Sequence, residues 1–183
     1  MKQAALIVID LQNEYLPTGN LPLSGLDAAV ANAVAAIAHA RATNVPVIHV
    51  RHESASADAP IFAPGTSNVD IQPAVAPRGD EPVVVKRHVN AFRGTDLKHR
   101  LDAAGIDELV LVGAMSHMCI EACARAAADM DYSVTVLHDA CATLDLAFGG
   151  VTVPAGQVHA AAMASLAFGY ATVRPTSDWL AGA

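Results

Sequence analysis

Three residues of this 183-residue chain could together perform nucleophilic chemistry: an acid at Asp10, an ammonium at Lys86 and a thiol at Cys119. Each stands at the end of an apolar, β-branched run: Ala4 to Ile9, Pro82 to Val85, and Leu109 to Val112 with the Gly113 turn after it. Runs of that length and type are buried parallel strands. In an open parallel sheet the ligand crevice lies at the carboxyl ends of the strands. The three groups are therefore expected at one edge, with Asp10 as base, Cys119 as nucleophile and Lys86 as the charge that holds thiolate and oxyanion. Taken singly, the acid and the ammonium also fit capping or salt-bridging, and the thiol fits a small residue packed under the sheet.

The elements that must place these groups follow from the periodicity. After Gly113 a short turn leads into a helix whose buried face is Ile120, Cys123, Ala124 and Ala127, with Glu121, Arg125 and Asp129 repeating every four residues on another face. Cys119 is expected at that helix's N-terminus, where unpaired N–H groups and the helix dipole lower a cysteine pKa and receive an oxyanion. Further strands are expected at Val45 to Val50, Ser133 to Leu137 and Tyr170 to Val173, and helices over Leu26 to Thr43, from Thr95 to Ala104, and over Gln157 to Gly169. Residues 54–81 show no sustained period and are read as a lid or a subunit interface, with Phe62 as a pocket plug. Residues 139–156 are read as a loop with Phe148 as a pocket wall. The alternation of strand and helix predicts an α/β fold: one domain over residues 1–183, a doubly wound, Rossmann-like parallel sheet of six strands with helices on both faces.

The motifs in order are Ile7-Val8-Ile9-Asp10-Leu11-Gln12-Asn13-Glu14-Tyr15, Val50-Arg51-His52, the stretch from Lys86 through Asn90 to Leu97, Val112-Gly113-Ala114-Met115-Ser116-His117-Met118-Cys119, and Asp139-Ala140-Cys141-Ala142. Over nearly the whole chain they resemble the isochorismatase-like cysteine hydrolases. The resemblance implies an Asp-Lys-Cys triad at Asp10, Lys86 and Cys119, a cis peptide between Ala114 and Met115, and oxyanion donors at the N–H groups of Met115 and Cys119. Asn90 stands where many members have serine, and Ser116 where many have threonine. Members that cleave isochorismate generally lack the cysteine, so its presence argues for hydrolysis of a C–N bond in an amide, ureido compound or lactam. Tyr15, His52, Asn90 and His117 are the candidates for substrate contact.

Composition bounds the alternatives. A net charge of -7 and the lack of a basic stripe argue against nucleic acid. No apolar run reaches the ~20 residues of a membrane span, and Met1-Lys2-Gln3 runs straight into a strand with no signal peptide. Three cysteines suit a reducing cytoplasm. With hydrophobic residues at 53% and charged ones at 16%, self-association as a dimer or tetramer is expected. The chemistry requires no cofactor and no metal. A metal-assisted, nicotinamidase-like site would draw on His49 and His52, with Asp58 as a third ligand, but neither histidine has an aspartate two residues before it. A non-catalytic, redox-responsive role for Cys119 is the other alternative.

Overall fold

The computed structural model describes residues 3–182. Six strands form one parallel sheet: β1 (Ala4–Ile9), β2 (Val47–His52), β3 (Val83–Lys86), β4 (Glu108–Ala114), β5 (Ser133–Ala142) and the last strand, β8 (Thr172–Arg174). Their spatial order is β3-β2-β1-β4-β5-β8. Two short strands, β6 (Leu146–Phe148) and β7 (Val151–Val153), pair antiparallel as a separate hairpin. The expected doubly wound α/β architecture is thus the observed one. The order reverses between β1 and β4, which makes their carboxyl ends the topological switch point.

Strand periodicity divides the core. On β1, Leu6 and Val8 face one side and Ala5, Ile7 and Ile9 the other, because successive side chains alternate across a sheet. The first side is covered by α1 (Leu26–Ala42) and α5 (Thr176–Leu180). Alanines 29, 33, 36 and 40 let α1 lie close to the strands. The second side is covered by α2 (Leu97–Ala103), α3 (Glu121–Asp129) and α4 (Ala155–Gly169). Asn44, at φ 58°, ends α1 in the left-handed region that asparagine tolerates.

Several boundaries differ from expectation by a residue or two, and three differ by more than their ends. β2 continues through Arg51 and His52, which pair with β3, so His52 is a strand residue and does not follow the strand. β5 runs to Ala142: its pairing with β4 jumps from Leu111↔Val136 to Gly113↔Cys141, so a bulge at residues 137–140 lets the strand resume. The stretch from Leu146 to Val153, expected as loop, folds on Gly149 and Gly150 into the β6–β7 hairpin.

Candidate active site

Asp10 follows β1 and adopts φ 53°, a conformation costly for most residues but accessible to aspartate, so the chain turns sharply at the switch point. Its carboxylate is fully buried. Lys86 ends β3 and is also fully buried, with Nζ 2.7 Å from Asp10 Oδ2. The same ammonium lies 3.2 Å from Cys119 Sγ and 3.0 Å from His52 Nδ1. Lys86 and Asp10 thus form a fully buried ion pair. The Asp10 charge also acts on the Cys119 thiol.

Cys119 lies in a π-helical turn, Ser116–Ile120, that runs into α3. The peptide bond between Ala114 and Met115 is cis. The strand can enter this turn because residue 113 is glycine: a Cβ there would meet the Ile9 carbonyl oxygen at 1.9 Å. The expectation of a thiol pKa lowered by a helix N-terminus is not met. Burial raises it first, the Asp10 charge raises it further, and Lys86 pulls the other way without prevailing. Within the turn, the N–H groups of Met118 and Ile120 donate to Met115 O, so they are not free to stabilise a thiolate. Lys86 is raised: burial opposes the ammonium, but the charges of Asp10 and Cys119 outweigh it.

Cys119 is 6% exposed, through a cavity of about 140 Å³. Tyr15 and His52 line that cavity, as do Ile61 and Phe62 from the long loop, so Phe62 is part of a wall in its own chain. Its ring meets Tyr15 edge-on at 5.4 Å and His52 at 4.9 Å. Burial, then the Lys86 charge, lowers the pKa of His52, which holds the ring neutral with Nδ1 accepting from Lys86.

The other two candidates for substrate contact are not brought to this cavity. Asn90 Oδ1 accepts from Phe92 N at 2.9 Å and serves its own turn. The His117 ring faces Thr143 Oγ1 at 2.7 Å and lines a separate cavity of about 410 Å³ beside the β6–β7 hairpin, where Phe148 also lies. His49 and His52 do not converge either: His49 is buried against Glu81, 3.1 Å away. Among the described residues, no three His, Cys, Asp or Glu side chains are grouped to hold a metal, and no helix is long and apolar enough to cross a membrane.

Two residues that sequence reasoning passed over hold the site together. Gln12 is buried, donates to His52 O at 2.8 Å and Val69 O at 2.7 Å, and accepts from His52 N at 2.7 Å. Glu14 is buried and accepts from Phe62 N at 2.7 Å and Asn20 N at 2.8 Å. Their signal was available as two polar residues in the turn after Asp10, a place where buried polar groups must be satisfied by backbone partners.

Comparison with known proteins agrees with this geometry. The family model of the isochorismatase domain matches residues 4–178. The chain is 44% identical to the isochorismatase family protein YddQ of Bacillus subtilis, covering 96% of this chain and 98% of that one. It is 32% identical to the streptothricin hydrolase of Streptomyces noursei over 78% of this chain and 50% of the relative. Among solved structures, an isochorismatase hydrolase from Oleispira antarctica superposes with a TM-score of 0.95 at 49% identity, covering 99% and 97% of the two chains. A cysteine hydrolase from Pseudomonas syringae pv. phaseolicola does so at 0.92 and 27% identity, covering 97% and 91%. From its strand order, the residues at its switch point and these likenesses, the chain belongs to the isochorismatase family.

Proposed function

We propose that the protein hydrolyses a C–N bond of a small molecule, with Cys119 as nucleophile and a thioester as intermediate. The observation that carries this reading is the Lys86 ammonium, set 2.7 Å from Asp10 and 3.2 Å from Cys119 beneath a cavity that reaches the thiol. The streptothricin hydrolase likeness supports a hydrolytic reaction, and the cysteine hydrolase likeness supports the thiol.

The resting thiol is held protonated by burial and by Asp10, so attack begins with transfer of its proton to an Asp10 oxygen. The Lys86 charge then faces the new thiolate, which adds to the amide carbonyl. N–H groups of the cis turn, at Met115 and Cys119, are the proposed oxyanion donors. Collapse breaks the C–N bond as Asp10 returns its proton to the leaving nitrogen, freeing ammonia or an amine. Water, deprotonated by Asp10, cleaves the thioester and regenerates the thiol.

Cys119→Ala is expected to lower turnover by more than the ~10²–10³ associated with one oxyanion donor, while keeping a cooperative thermal transition. Turnover by that variant near the wild-type rate rules the mechanism out.

A further inference from the structure

We infer that the acyl group accepted by this pocket is uncharged, apolar and no larger than a single ring, an inference that rests on the hydrolase reading of the site. Tyr15, Phe62, Leu21 and Ile61 line the cavity, and Met118, 36% exposed, joins the lining to the protein surface. A cavity of about 140 Å³ is close to the ~150 Å³ of an apolar cavity that holds benzene, and well below the ~300 Å³ at which sites for drug-sized ligands begin.

The charges decide more than the volume does. The cation beneath the pocket is Lys86, which is fully buried and already faces Asp10, His52 and Cys119. The polar side chains of the wall, Tyr15, His52 and Ser54, bring no further cation: the His52 ring is neutral, with Nδ1 accepting from Lys86, and Ser54 Oγ donates to Ile61 O at 2.8 Å. A substrate carboxylate in this cavity would be desolvated with no cation left to pair with it, which weakens its binding. The Asp10 carboxylate and the thiolate of the reacting state would repel it further. An uncharged acyl chain or ring instead gains apolar contact with Leu21, Ile61, Phe62 and Val89, and the Met115 and Met118 side chains adapt to its shape.

Binding separates this inference from the chemistry. Hexanamide, benzamide and succinamate are titrated into Cys119→Ala, and into Cys119→Ser as a second variant, with NMR shifts as the readout. Hexanamide and succinamate have the same number of non-hydrogen atoms and differ in the carboxylate. The uncharged amides are expected to bind at least about tenfold more tightly than succinamate. Met118→Arg, made in the same background, should close most of that gap by giving the mouth a cation. Equal or tighter binding of succinamate overturns the inference, as does no detectable binding of either uncharged amide. Intact-mass detection of an acyl adduct on wild-type Cys119 tests the hydrolase reading on its own. Preference for uncharged amides without an adduct defeats the chemistry alone, whereas an adduct formed faster from succinamate than from hexanamide defeats the inference alone.

Discussion

The Cys119 thiol answers to its burial first and to two opposed charges after it. Asp10 pushes the Cys119 pKa up and Lys86 pulls it down, both on top of a larger upward push from burial. The two charge-removing variants should therefore act in opposite directions. Asp10→Asn removes an upward push, so the pKa falls and alkylation of Cys119 at a fixed neutral pH speeds up. Lys86→Met removes the downward pull, so the pKa rises and alkylation slows. Iodoacetamide rates resolved by peptide mass spectrometry check this, with Cys123 and Cys141, both buried and pushed up to about 12, as slow internal references. Shifts in the same direction would show that charge coupling does not govern the thiol. Asp10 and Lys86 were legible because a buried strand that stops at a polar residue must place it at the sheet edge, and Cys119 because a strand, a glycine and a helix bracket the turn that carries it. Asn90 and His117 lie as near to those residues along the chain, yet their side chains turn to Phe92 N and Thr143. Position along a chain does not specify rotation within a turn.

At the scale of elements, the meeting of β1 and β4 carries the site. Gly113 adopts φ 132° with the Ile9 backbone where a Cβ would be, so Gly113→Ala must part the two strands. The expected cost is at least about 3 kcal/mol in chemical denaturation, with loss of soluble protein as the extreme. Gly149→Ala, in the hairpin turn where nothing lies within 4 Å, should cost only about 1–2 kcal/mol for the left-handed backbone. Similar costs at the two positions would refute the close-approach argument. The six parallel strands and the major helices could be read from apolar runs and periodicity. The extension of β5 could not, because a bulge interrupts the alternation that marks a strand. The π turn was equally hidden: five residues are too few to distinguish one helical period from another.

Across the whole molecule, the far end of the long loop is pinned by a charge cluster away from the site. Arg41 Nε and Nη2 contact Glu81 at 2.7 and 2.8 Å, and His49 Nε2 lies 3.1 Å from the same carboxylate. The Arg41 hydrogen bonds hold the Glu81 pKa down at about 2, from an ordinary 4.5. A folded-state pKa below the unfolded one stabilises the protein above the ordinary value, and that stability is lost as pH falls through the lowered one. Glu81→Gln should therefore destabilise by about 1–3 kcal/mol at neutral pH, and the difference from wild type should shrink between pH 4.5 and about 2. Urea midpoints across that range check it, and a pH-independent difference would point to lost packing instead. The layered architecture was legible from the succession of strands and helices. This pin was not, since its three partners lie on α1, β2 and an aperiodic loop with no common spacing.

The adjacency of β1 and β4 also governs when the site comes into being. Asp10 belongs to an early part of the chain and Cys119 to a late one, and only parallel pairing across a long connection unites them. A growing chain that has emerged as far as β3 holds the acid and the ammonium but not yet the thiol. A chain in which β4 has not docked carries Cys119 as an ordinary solvent-facing thiol, open to oxidation and to alkylation. Under the proposed function, hydrolysis reports the docking of β4 and thiol accessibility reports its release, two opposite signals for one folding event.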